Sequence, residues 1–242
     1  DGSLDQAGGS CYLRSGDCSL SKISRYGSHE DCSAGSSKIN KPKSVKSEPP
    51  KKVRIIGGIW RSRLLTVMDL PGLRPTTDRI RETLFNWLGQ DLTGLRCLDL
   101  FAGTGALGFE AASRGASAVT LLERDKKAHA NLLKNFDLLK SSPASGSVEI
   151  LHGDSLEFLK RQSDHSANLI FIDPPFQDSD LLNRTVIEAA RVCDDAIGGG
   201  IYVEFPANRS REEVEALLPS WHCGKYLEAG QVKACLFRSG RG

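Results

Sequence analysis

The chain of 242 residues has little from which to build a metal or disulfide framework. Its seven cysteines (Cys11, Cys18, Cys32, Cys97, Cys193, Cys223 and Cys235) are odd in number and scattered, and no C-x-x-C pair occurs. Zinc and redox motifs are therefore unsupported, no metal site is expected, and the cysteine usage reads as that of a reducing compartment. Cys97, inside an apolar run, reads as a small core residue. No apolar run approaches the roughly 20 residues of a membrane span, and no apolar signal core lies near the start, so no membrane partner is expected. The chain opens on Asp1 rather than Met, which reads as a fragment or a processed form. An excess of one charge sign is also missing: 32 Lys and Arg face 30 Asp and Glu, for a net +2. The length and the 39% hydrophobic content fit one α/β domain with appendages.

What charge there is lies unevenly. Between Lys38 and Arg63 stand Lys38, Lys41, Lys43, Lys46, Lys51, Lys52, Arg54, Arg61 and Arg63 against Glu48 alone. A basic arm followed by a basic hairpin would bind phosphates through counterion release. For residues 38–52 a solvated linker is an equal reading. Arg61 and Arg63 fall in ordered-looking sequence and read better as nucleic-acid contacts. Residues 1–52 are rich in Ser, Gly, Lys and Pro and are expected to be disordered. Residues 53–70 should form a small hairpin, from Val53 to Ile59 and from Leu64 to Val67, with Gly57-Gly58 permitting a bulge. Residues 71–240 carry the main domain.

Two motifs carry chemistry. Asn168-Leu169-Ile170-Phe171-Ile172 reads as a buried parallel strand, and Asp173-Pro174-Pro175-Phe176 follows it directly. Consecutive prolines stop the strand and stiffen the turn. A carboxylate, backbone carbonyls and an aromatic ring thus sit at a strand's carboxyl end, where open α/β sheets bind ligands. The set suits a flat ring bearing an amine: oxygen acceptors take its hydrogens and Phe176 stacks on its face. Upstream, the run Leu95 to Leu100 leads through Asp99, Phe101 and Ala102 into Gly103-Thr104-Gly105-Ala106-Leu107-Gly108, the G-x-G-x-x-G pattern of a nucleotide loop. Ala118 to Leu122 forms the next strand and ends at Glu123, placed to grip ribose hydroxyls. Glycines and acid together fit either a nicotinamide cofactor or S-adenosylmethionine. Asp99 favours the second, because a carboxylate repels a pyrophosphate but attracts a cationic donor. Asp99 also reads as a brace for the glycine turn, and Glu123 as an acid at a helix N-terminus.

Around these motifs the spacing predicts alternating βα units. Arg74 to Glu82 opens a helix with Thr76, Thr77 and Asp78 as caps and Ile80, Leu84, Trp87 and Leu88 as its apolar stripe. Its first turn could close over the donor, with its arginines toward phosphates. A helix over Asp125 to Leu139 should turn Ala128, Leu132, Leu133 and Phe136 inward. Val148 to Leu151 is a strand. Asp154 or Ser155 caps the following helix, with contact to an adenine amino group an even alternative for Asp154. A helix from Ser179 to Val192 precedes a strand from Gly200 to Phe205. Then come a helix from Glu212 to Leu218 and a terminal pair, Lys225 to Leu227 and Val232 to Phe237. The result is an α/β, doubly wound, mostly parallel sheet with a mixed edge.

These segments resemble the RsmD-type 16S ribosomal RNA (guanine-N2)-methyltransferases of the class I S-adenosylmethionine-dependent fold. The likeness rests on Arg54-Ile55-Ile56-Gly57-Gly58, on Arg74-Pro75-Thr76-Thr77-Asp78-Arg79-Ile80-Arg81-Glu82-Thr83-Leu84-Phe85, on Asp99 to Gly108, on Asp173-Pro174-Pro175-Phe176 and on Ala229-Gly230-Gln231-Val232. It covers residue 53 to about residue 238. Asp-Pro-Pro-Phe alone is shared with DNA and RNA amino-methyltransferases generally, which keeps those as the runner-up. The resemblance implies a seven-stranded sheet with an N-terminal hairpin and helix, and a substrate within an assembling small ribosomal subunit. It implies that Asp173, Pro174, Pro175 and Phe176 hold the guanine amine. The cofactor would lie against Thr76, Asp99, Phe101, Ala102, Gly103, Gly105, Glu123, Asp154, Ser155 and Asp173. Arg54, Arg61, Arg63, Arg74 and Arg79 are the expected RNA contacts. A cytoplasmic monomer is expected, with an organelle open if the source is eukaryotic.

Overall fold

Strands that are apolar along their whole length need cover on both faces, and this decides the architecture. The computed structural model describes residues 51–68 and 78–240, all within one unit, Ser47–Gly242. The elements in chain order are β1 (Lys52–Arg54), β2 (Leu64–Thr66), α1 (Asp78–Leu88), β3 (Arg96–Asp99), α2 (Ala106–Ser113), β4 (Ala118–Glu123), α3 (Lys126–Leu139), β5 (Ser147–His152), α4 (Ser155–Arg161), β6 (Leu169–Ile172), α5 (Ser179–Val192), β7 (Gly200–Pro206), α6 (Arg211–Glu215), β8 (Trp221–Ala229) and β9 (Val232–Ser239).

The main sheet has seven strands in the order β5-β4-β3-β6-β7-β9-β8. The first five are mutually parallel; β9 runs antiparallel to β7, and β8 to β9. All four residues of β6 are buried. Phe171 joins Phe85, Phe109 and Leu121 in one apolar layer, while Ile170 and Ile172 join Leu122, Val186 and Val203 in the other. That alternation is what two covered faces require of a central strand. The chain leaves β3 toward β4 and β5 on one side, then returns to β6 and β7 on the other. The order therefore reverses between β3 and β6, which fixes the ligand crevice at their carboxyl ends.

The hairpin β1–β2 is shorter than its sequence suggested. Ladder pairing stops at Arg54, and the chain turns through Ile55 to Arg63, closed by Ile55 N to Arg63 O and Ser62 N to Ile55 O, 2.9 Å each. The apolar pattern had read this turn as strand because Ile55 and Trp60 are core residues. Gly58 is held at φ 72°, and a Cβ there would lie 1.8 Å from the Ser113 carbonyl oxygen. Only glycine lets the turn lie on the end of α2.

Other boundaries also differ. Leu133 is exposed rather than inward, and Asn131 and Asn135 take the buried face of α3. Their amides donate to the Thr66 carbonyl at 2.8 and 3.1 Å, and Asn135 Oδ1 accepts from Thr66 N at 2.9 Å, so polar side chains bind the hairpin to the helix. β8 extends from Trp221, well before Lys225, because a bulge at Gly224 lets the pairing continue. Arg81, on the helix whose arginines were expected to face phosphates, is wholly buried. Its Nη2 donates to the Arg54 carbonyl at 2.8 Å and to Asp78 Oδ1 at 2.6 Å, and its Nη1 lies 3.9 Å from buried Glu110.

Candidate active site

Three acids converge at the reversal point. Asp99 is the last residue of β3, Glu123 the last of β4, and Asp173 immediately follows β6. β3 pairs with both neighbours, Asp99 standing opposite Leu121 on one side and Phe171 on the other. Asp99 and Asp173 therefore share one rim of the sheet.

Asp99 is almost fully buried and accepts from Gly108 N at 2.9 Å, so it braces the first turn of α2. Burial pushes its carboxyl up to about 7; the Gly108 amide opposes that shift, and the charges of Asp173 and Glu123 add to it. Glu123 binds the glycine loop directly. Its Oε2 accepts from Gly103 N at 2.9 Å and its Oε1 from Asp125 N at 2.7 Å. The loop turns tightly through Gly103 at φ 53° and Gly105 at φ 83°, with Gly105 N donating to Ala102 O at 2.7 Å. A Cβ on Gly105 would meet the Phe109 ring at 2.3 Å. Ala102 is buried beneath the loop, and Phe101 is half-buried beside it.

The capping reading holds for Asp154: its Oδ1 accepts from Leu156 N at 3.0 Å and Glu157 N at 3.1 Å at the start of α4. Its Oδ2 lies 3.9 Å from Arg124. Ser155 is buried and donates its hydroxyl to the Leu100 carbonyl, which turns it inward to tie α4 to the end of β3. In the second motif Asp173 and Phe176 are half-buried, Pro174 is buried and Pro175 is exposed. The Pro175 carbonyl accepts from Asp178 N at 3.2 Å, closing the turn. Arg61, Arg63 and Arg79 are exposed, and Arg54 is exposed with Asp78 3.6 Å from its guanidinium. Thr76 and Arg74 lie outside the described residues. A cavity of about 470 Å³ does lie elsewhere, between the Gly57-Gly58 turn, Glu82 and Asn86 of α1, and Gln90 just beyond that helix. It is lined by neither the glycine loop nor Asp-Pro-Pro-Phe, and the candidate site stays at the strand ends.

Sequence reasoning missed Glu204 and Tyr202 on β7. Glu204 is buried one position beyond Val203, which pairs with Ile172, so it stands level with Asp173. Tyr202 donates its hydroxyl to Glu204 Oε1 at 2.9 Å, and its phenol is pushed well above its usual range, first by burial and then by Glu204 and Asp173. The signal was available: an acid inside the apolar run Ile201 to Phe205 has to be there for a partner.

The family model described as "Conserved hypothetical protein 95" matches residues 53–238. The chain belongs to that family. Against relatives of the conserved hypothetical protein 95 family, it is 42% identical over 190 residues to ribosomal RNA small subunit methyltransferase D of Escherichia coli strain K12, covering 77% of this chain and 90% of the other. It is 51% identical over 126 residues to the protein of that name from Haemophilus influenzae, covering 52% and 64%. A solved Escherichia coli structure superposes with a TM-score of 0.64 at 39% identity, covering 78% of this chain and 98% of that one. A Streptococcus mutans structure at 17% identity and TM-score 0.59 shows the fold alone. The chain shares the methyltransferase fold of these neighbours.

Proposed function

We infer that the protein transfers a methyl group from S-adenosylmethionine to the exocyclic N2 amine of a guanine in small-subunit ribosomal RNA. The observation that carries this is the meeting of a glycine loop and an amine-accepting Asp-Pro-Pro-Phe turn at one reversal point of the sheet, where Asp99 and Glu123 end the neighbouring strands. The residues present fit a cationic donor. Glu123 and Asp173 are acids at the strand ends, Asp99 ionises more readily once a cation lies beside it, and the glycine loop turns tightly through Gly103 and Gly105 at positive φ. Bound there, S-adenosylmethionine supplies a methyl group on a sulfonium, a good leaving group.

The residues then solve the harder half of the problem. A guanine amine gives its lone pair to the ring and is a poor nucleophile. Asp173 and the Pro174 carbonyl accept its two hydrogens and favour a pyramidal nitrogen whose lone pair faces the methyl group. Positive charge grows on that nitrogen during attack, so Asp173 stabilises the transition state more than the ground state. Asp173 is also the nearest acceptor for the proton that the nitrogen sheds. Phe176 gives the unstacked base a surface worth roughly 1–3 kcal/mol. Arg54, Arg61, Arg63 and Arg79 would hold the surrounding phosphates. The names of the bacterial relatives support small-subunit ribosomal RNA as the substrate; an assembling subunit, a cytoplasmic setting and a monomeric enzyme belong to this proposal.

Asp173→Ala decides the mechanism. Donor affinity by calorimetry should fall by no more than about tenfold, since Asp99 and Glu123 remain, while methyl transfer to ribosomal RNA at saturating donor falls by roughly 10²-fold or more. Transfer at the parent rate would remove Asp173 from catalysis. Mass-spectrometric mapping of methylated guanines, with and without the gene, then tests the substrate.

A further inference from the structure

The terminal hairpin holds a second reactive feature, outside the crevice. Cys223 on β8 and Cys235 on β9 are twelve residues apart in sequence, and their sulfurs are 2.7 Å apart. Both are free thiols. Register explains the approach. Cys223 pairs with Phe237 and Tyr226 with Cys235, with the bulge at Gly224 between them, so the two cysteines are diagonal neighbours on one face of the hairpin. Cys235 is buried and Cys223 is half-buried, so a small reagent can reach only one member of the pair.

We propose that Cys223 and Cys235 form a thiol–disulfide site, oxidised by low-molecular-weight disulfides and restored by dithiols. Cys223 is the attacking sulfur, because it is the accessible one. Its thiol is held below the ordinary value, chiefly by the hydrogen bond with Cys235. Glu215 opposes that shift and Arg211 adds to it; Glu215 Oε1 also accepts from the Cys223 amide at 2.8 Å. The buried partner moves the other way: its thiol is raised by the same hydrogen bond and by desolvation. An asymmetric pair of this kind orders the two steps.

In the first step the Cys223 thiolate attacks one sulfur of a disulfide RSSR. A protein–S–S–R bond forms, the R–S–S–R bond breaks, and RS⁻ leaves, taking up the proton that Cys223 lost. In the second step Cys235 Sγ attacks Cys223 Sγ and expels the second RS⁻, which takes the Cys235 proton. Two thiols of the protein are oxidised and one RSSR is reduced to two RSH. The sulfurs need to move by only about 0.7 Å to reach bonding distance.

The test uses the full chain equilibrated with glutathione disulfide and digested under non-reducing conditions. Trypsin separates the two cysteines, one in residues 212–225 and the other in residues 234–238. The expected product is this pair of peptides joined by a disulfide, their two thiols lost together and both recovered after a dithiol. Cys223→Ser should abolish the link. Cys235→Ser should leave Cys223 carrying a stable glutathione adduct, which shows that the attacking thiol is competent even if the buried variant is less stable. Stable glutathionylation of Cys223 in the parent chain without the link, or no reaction at all, would overturn the proposal.

Discussion

Asp99 is the residue whose environment does most to shape the site. Folding raises its carboxyl from 3.8 to about 7, so between those values the native state keeps a proton that the unfolded chain has released. Its contribution to stability is therefore full below the lower value and lost as pH rises through the upper one. The urea midpoint of the parent should fall across that window relative to Asp99→Asn, whose amide oxygen still accepts from Gly108 N. Equal slopes for the two proteins would show that Asp99 titrates normally. A bound cation beside Asp99 favours its ionised form, so donor binding near neutral pH should release protons and tighten as pH rises. Calorimetry in buffers of different ionisation enthalpy reads that release directly. Glu204 makes the complementary case. Tyr202→Phe removes a hydroxyl that donates to it, and leaves a buried carboxylate short of a partner. A loss of about 1–3 kcal/mol is expected in chemical unfolding; a change within error would mean that Glu204 is satisfied without Tyr202.

At the scale of elements, a buried acid ties the turn that follows β1 to α2. Glu110 on α2 accepts from Ile56 N at 2.8 Å and from Gly57 N at 2.7 Å, while Arg114 lies 2.8 Å and Arg81 3.9 Å from its carboxylate. Glu110→Ala removes that acceptor from two amides and leaves two buried guanidinium groups without it. Destabilisation of about 3–5 kcal/mol should follow. If urea unfolding shows a much smaller loss, water reaches the guanidinium groups when the acid is gone. None of this network was legible in the chain. Nothing in the sequence singled out Glu110 or Arg114, and Arg81 was only one of the arginines of a helix expected to face phosphates, because a side chain's burial depends on what packs over its helix. The strands and the mostly parallel, doubly wound class were legible, because runs such as Leu169 to Ile172 are apolar on both faces and glycines mark the turns; the order of the strands in the sheet was not. The acids at the strand ends were legible for the same reason: a strand's end fixes where the next side chain stands. The proximity of Cys223 and Cys235 was not, since it depends on the register of a hairpin and on one bulge that no local pattern announces.

The whole molecule presents one further asymmetry that its net charge conceals. No helix among the described residues is long and apolar enough to cross a membrane, and the net charge of +2 is too small to bind RNA by itself. Binding must therefore come from where the basic residues stand. Arg61 and Arg63 are exposed on the turn between β1 and β2, and Arg79 is exposed on the first turn of α1. Each phosphate neutralised releases condensed counterion, so the logarithm of affinity falls with the logarithm of salt at roughly 0.7–0.9 per contact. Replacing Arg61, Arg63 and Arg79 together by Ala should flatten that slope by about 2–3 and weaken RNA binding most at low salt. Donor affinity should hold within about twofold, since none of the three touches the glycine loop or the acids of the crevice. Binding curves over a salt series, paired with donor calorimetry on the same variant, separate the two effects. An unchanged slope would move the RNA path to the Lys38–Lys52 segment. A parallel loss of donor affinity would mean that the hairpin and α1 help to build the cofactor site as well as the RNA path.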